Sequence, residues 1–100
     1  MFSHLAANAE HTPVANATSA ATVLAANGRR VGLSIANSSA SAILYVLLDN
    51  SSSVPAVSAT VHTVRINGGG YWECPWNYLG AVFAIASAAD GFAQITEFTV

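Results

Sequence analysis

The sequence predicts an all-β fold, an antiparallel β-sandwich or jelly-roll-like barrel, and three observations carry that prediction. Short apolar runs rich in Val, Ile, Leu and Phe recur from Ala20 to Val100. Turn signals interrupt them every ~8–12 residues, the rhythm of short antiparallel strands. After residue 19 no stretch keeps the 3.6-residue period of an amphipathic helix, and no internal repeat is present. The 100 residues make one domain and need no disulfide to hold a core. They divide into an N-terminal arm, 1–19, and a β-sandwich domain, 20–100.

The arm is rich in Ala and Asn, contains Pro13 and has no period of two. With little apolar surface to offset its ordering entropy, it is expected to extend across a neighbour in an assembly. Thr22–Ala26 and Arg29–Ile35 flank Asn27-Gly28, the strongest short hairpin signal. A two-residue turn there pairs Leu24 with Val31 and Thr22 with Leu33. Ile43–Leu48 is apolar on both faces, which predicts a strand buried on both sides, centrally or against another subunit. Val57–Ile66 reads as a further strand, ending at the Gly68-Gly69-Gly70 turn. Tyr71–Tyr78 concentrates the aromatics, and Pro75 marks an edge or a break in it. Ala81–Ala86 and Phe92–Val100 flank Asp90-Gly91; a hairpin there pairs Phe83 with Phe98 and Ile85 with Thr96.

Charge is scarce. Asp, Glu, Lys and Arg make up 8% of the chain against roughly 25% in an ordinary domain. There is no lysine, the net charge is −2, and 53% of residues are hydrophobic. A lone small domain stays soluble through a mixed, charged surface, so neighbours are expected to cover much of this one. Three arginines, Arg29, Arg30 and Arg65, form no basic stripe, which argues against nucleic acid. The longest apolar run is far short of the ~20 residues of a spanning helix, so no membrane partner is expected. Met1-Phe2-Ser3-His4 lacks the charged start and apolar stretch of a signal peptide, which predicts cytoplasmic synthesis.

Chemistry-bearing patterns are absent. His4, His11 and His62 fall in no metal-binding spacing, and no Ser stands in Gly-x-Ser-x-Gly. Cys74 is alone and reads as a small buried hydrophobe. Glu73 and Glu97 read as exposed strand residues, and Arg29 and Arg30 as members of an exposed turn. No catalytic residue, metal or cofactor is therefore expected, and an enzyme would need a pocket joining His62 to a carboxylate and a serine. Tyr71, Trp72, Trp76 and Tyr78 fit core, protein interface or sugar platform.

Leu24-Ala25-Ala26-Asn27-Gly28-Arg29-Arg30, Leu33–Asn37, Leu44-Tyr45-Val46, Gly69–Glu73, Gly80–Ile85 and Ile95-Thr96-Glu97 together resemble small β-sandwich virion proteins of tailed bacteriophages. The likeness runs from about Ala20 to Val100. It departs from the group at Ile66-Asn67-Gly68, where the group often has Pro-Gly after a Leu, and at Cys74-Pro75-Trp76. It implies a head decoration (cement) protein, working within the virion by bridging major capsid or other virion subunits. A neck or tail accessory protein is one alternative and a carbohydrate-binding module another. Leu44, Val46, Leu48, Tyr71, Trp72, Trp76 and Tyr78 are the interface candidates. Asn27, Gly28, Asp90 and Gly91 are the turn residues. A homo-oligomer, a trimer by preference, would hide the Ile43–Leu48 strand.

Overall fold

Leu33 and Ile35 on one strand, and Ala93 and Ile95 on its neighbour, all point inward, and this alternation organises half the molecule. The computed structural model describes residues 6–100. In chain order the strands are β1 (Asn8–Ala15), β2 (Ala21–Leu24), β3 (Arg30–Asn37), β4 (Leu44–Leu48), β5 (Val64–Ile66), β6 (Tyr71–Glu73), β7 (Val82–Ala86) and β8 (Phe92–Thr99). They form two four-stranded antiparallel sheets, ordered β1-β8-β3-β6 and β2-β7-β4-β5. The fold is thus an all-β sandwich, as the sequence predicts, with no helix among the described residues.

The pairings nest. β1 pairs with β8, β2 with β7, β3 with β6 and β4 with β5, as though one long hairpin had been folded over itself. Only β4 and β5 are both consecutive in the chain and paired. Between the sheets lie Leu33, Ile35 and Ile95 from the first, with Leu44, Val46, Ile66, Val82, Ala84 and Ala86 from the second. Each fully buried aliphatic side chain there contributes about 1.5–3 kcal/mol.

This nesting overturns both expected hairpins. Leu24 pairs with Val82 and Thr22 with Phe83, so β2 and β3 face each other across the core instead of lying side by side. Asn27-Gly28 is a crossover between sheets. Its Asn27 Oδ1 accepts from the Arg29 amide at 3.0 Å, a side-chain-closed turn that leaves Gly28 outside the left-handed region. Asp90-Gly91 is a crossover too. Phe83 pairs with Leu47 in the second sheet, while Phe98 pairs with Gly32 and Ala9 in the first. Gly91 does adopt a positive φ of 73°.

Two further expectations are corrected. Residues 8–15 are no loose arm: they form β1, hydrogen-bonded along the whole length of β8, and only Met1–Leu5 of the expected arm lie outside the described residues. Of Val57–Ile66 only Val64–Ile66 is strand. The Ser58 hydroxyl accepts from the Thr60 and Val61 amides, offering the backbone a turn in place of a ladder. Within the 49–63 segment the His62 ring lies 5.2 Å from that of Tyr45, an outward residue of the second sheet. Phe83 and Val57 are both buried outside the inter-sheet cluster.

Polar staples close the two ends. At one, the buried Arg30 pairs with the buried Glu97 and also donates to the carbonyls of Ala25, Tyr78 and Gly80. Neither residue is the exposed one expected from sequence. At the other end, Asn37 donates to the carbonyls of Ala42 and Ile66 and accepts from Asn16 Nδ2 and the Ser39 amide. The Ser39 hydroxyl donates to Asp90. Each staple ties together crossovers that the ladders leave unconnected.

Candidate docking surface

The outer side of the first sheet carries few charges, and β1 is exposed along it. Because side chains alternate along a strand, the residues between the inward-facing ones point outward. On β1 these are Ala9, His11, Pro13 and Ala15; on β8, Phe92, Gln94, Thr96 and Phe98. β3 adds Gly32, Ser34 and Ala36, and β6 adds Tyr71 and Glu73. Glu73 is the only Asp, Glu, Lys or Arg among them. The result is a surface of mostly small or uncharged side chains, with aromatic rings at its margins.

Polar contacts hold its centre in place. His11 Nε2 donates to Gln94 Oε1 at 2.7 Å, and its Nδ1 lies 3.4 Å from Thr96 Oγ1. Tyr71 is 65% exposed at one edge and Phe92 46% exposed near the other. Trp76 is 58% exposed beyond the end of β6, where Pro75 breaks the strand.

The sequence's interface candidates scatter. Leu44 and Val46 are 2% and 0% exposed and fill the core, because β4 is a central strand whose alternate residues meet the opposite sheet. Leu48, Trp72 and Tyr78 are half-buried and pack against that core. Of the seven, Tyr71 and Trp76 are the exposed ones. Composition marked β4 as apolar on both sides; on the outer one the His62 ring lies against Tyr45. The outward residues of β1 and β8 were missed as a surface. β1 shows no period of two in the sequence, and only the β1–β8 pairing unites these residues.

The smaller cavity offers little to a substrate. It has about 30 Å³ and lies between β1 and β2, lined by Val14, Val23, Leu44 and Ala86 with Asn16 at its wall. That is room for water, against the ~300–1,000 Å³ of small-molecule sites. A shallow depression of about 360 Å³ is lined by Arg29, Leu79, Asn77 and Val100, and Arg29 there donates to the Val100 carbonyl. His62 Nδ1 lies 3.1 Å from the Ser58 carbonyl oxygen. Glu73 and Glu97 project from opposite sides of the first sheet, so they are not a carboxylate pair. Cys74 is buried, with Sγ 3.4 Å from the Trp76 carbonyl. Among the described residues no three His, Cys, Asp or Glu side chains converge on a point.

Comparison with protein families, with characterised proteins and with solved structures finds no match to this chain. Its functional reading therefore rests on the surface just described.

Proposed function

We propose that the protein is a non-enzymatic virion structural protein, a head decoration (cement) protein of a tailed bacteriophage that docks through the outer side of its first sheet. The observation that carries this reading is the contrast between the two sheets. On the second, the His62 ring of the 49–63 segment lies against Tyr45; on the first, β1 is exposed and Glu73 is the single formal charge among the outward side chains. The nested strand order is that of a jelly roll, an architecture that recurs in viral capsid and lectin domains, which supports the reading by analogy only.

The surface is small. Three eight-residue strands and one short edge strand span about 400 Å² at ~4.8 Å between strands and ~3.3 Å per residue. A standard stable interface takes roughly 800 Å² per partner. A single such contact holds weakly, so retention on a shell requires that each copy also touch a neighbour or a second subunit.

Quantitative mass spectrometry of purified particles, made from the genome that encodes this chain, tests the reading. Hundreds of copies per particle support cement, a handful support a neck or tail accessory protein, and absence from the particle contradicts both. The exposed rings of Tyr71 and Trp76 favour one other reading, a carbohydrate platform. A glycan array that retains the wild type and loses Tyr71→Ala/Trp76→Ala would select it.

A further inference from the structure

The sandwich has four edge strands, and they are not alike. β2, β5 and β6 run to four, three and three residues, short enough to offer little for another strand to pair with. β1 has eight residues, seven of them exposed. Hydrogen bonding along β8 shows which of its groups are free. Phe92 exchanges bonds with Ser38 on the β3 side, and the Gly91 carbonyl accepts from Asn16 on the β1 side. With alternation, the even-numbered residues of β1 bond to β8, and Ala9, His11, Pro13 and Ala15 turn their amide and carbonyl groups to the open edge.

Proline at position 13 is therefore tolerated, since its missing N–H is one that faces outward. It blunts the second half of the edge. The first half, with the N–H and C=O groups of Ala9 and His11, keeps a full set of donors and acceptors. No described residue pairs with them.

We propose that this edge pairs with the same edge of a second copy, antiparallel about a two-fold axis, joining two first sheets into one eight-stranded sheet. A strand edge is its own complement under a two-fold rotation. Glu10 is the one formal charge on β1 and disfavours one register. Pairing centred on Glu10 sets two carboxylates opposite each other, which is unfavourable. Pairing centred on His11 sets Glu10 opposite Thr12 of the second copy, and places each Ala9 N–H on the Pro13 carbonyl, a group that proline retains. The assembly is a dimer where composition led to a trimer, because the strand whose exposure argued for a trimer fills the core with Leu44 and Val46. The inference stands apart from the virion reading.

His11→Pro tests it, since Pro13 shows that the edge accepts proline facing outward. Sedimentation over the micromolar to millimolar range should show a monomer–dimer equilibrium for the wild type, weakened at least tenfold in the variant. A wild type that stays monomeric throughout, or a variant that dimerises as well as the wild type, overturns the proposal. Should His11→Pro fail to fold, amide exchange on the wild type decides: protection at Ala9 and His11 should rise with protein concentration. Protection that is absent at every concentration, or that arises only when a foreign strand or particle is added, overturns the second-copy assignment.

Discussion

Arg30 and Glu97 form an ion pair inside the sandwich, with Nε 2.8 Å from Oε2 and side chains 1% and 8% exposed. A buried pair gains little over an apolar one, but breaking it leaves a charge without its partner, at about 3–5 kcal/mol. The guanidinium also donates to the carbonyls of Ala25, Tyr78 and Gly80. Arg30→Met should therefore destabilise more than Glu97→Gln, because it strips a donor from three carbonyls as well. Urea unfolding of the two variants checks the order; equal losses would mean that the carbonyl contacts contribute nothing.

The opposite end depends on Asn37. It is buried and makes four hydrogen bonds, two as donor and two as acceptor. Asn16 makes two through Nδ2, and its buried Oδ1 has no partner among the described residues. Leaving buried polar groups unpaired costs roughly 1–3 kcal/mol each. Asn37→Ala is thus expected to lower stability by about 3 kcal/mol or more, and Asn16→Ala by less. Thermal melts of both variants measure the difference.

Tyr78 ties stability to alkaline pH. Burial pushes its hydroxyl above the ordinary pKa of 10.0, and its proton is shared between the Ala81 and Asp49 carbonyls at 2.6 and 2.9 Å. The folded state holds this proton more tightly than the unfolded chain. Its contribution is complete below the ordinary tyrosine value and is lost as pH rises above it towards the raised one. Tyr78→Phe should be less stable at neutral pH by about 1–2 kcal/mol. The gap between the two proteins should narrow in alkaline solution, read by denaturant midpoints at neutral and high pH.

Two glycines should respond with opposite signs. A methyl group at Gly28 meets nothing within 4 Å, and the residue is outside the left-handed region. Gly28→Ala should stabilise by about 0.4–1 kcal/mol through the unfolded chain. At Gly91, φ is +73° and a methyl group would lie 2.6 Å from the Ser39 backbone. Gly91→Ala should cost more than the ~1 kcal/mol of an ordinary surface change. Melting temperatures of both variants settle the matter.

These glycines also show what was legible in the sequence. The shared face of Leu33 and Ile35 was legible, because local propensity and burial act within a strand, whereas Asn27-Gly28 and Asp90-Gly91 were read as hairpins and Val46 as an interface residue. Which strand lies beside which is decided by how two apolar faces meet, so the crossovers passed for hairpins. Arg30 and Glu97 are 67 residues apart, and nothing local announces their pairing. The docking surface was hidden for the same reason: His11 and Gln94 meet only once β1 lies against β8.

The proposed docking runs through the outer side of the first sheet. Co-sedimentation with shells lacking this protein, comparing wild type, Tyr71→Glu and Val61→Glu, tests it most directly. Val61 is an exposed apolar residue of the 49–63 segment, away from that sheet. The account predicts that the wild type and Val61→Glu bind alike and that Tyr71→Glu binds at least tenfold more weakly. No binding by the wild type, or equal binding by all three, would contradict it.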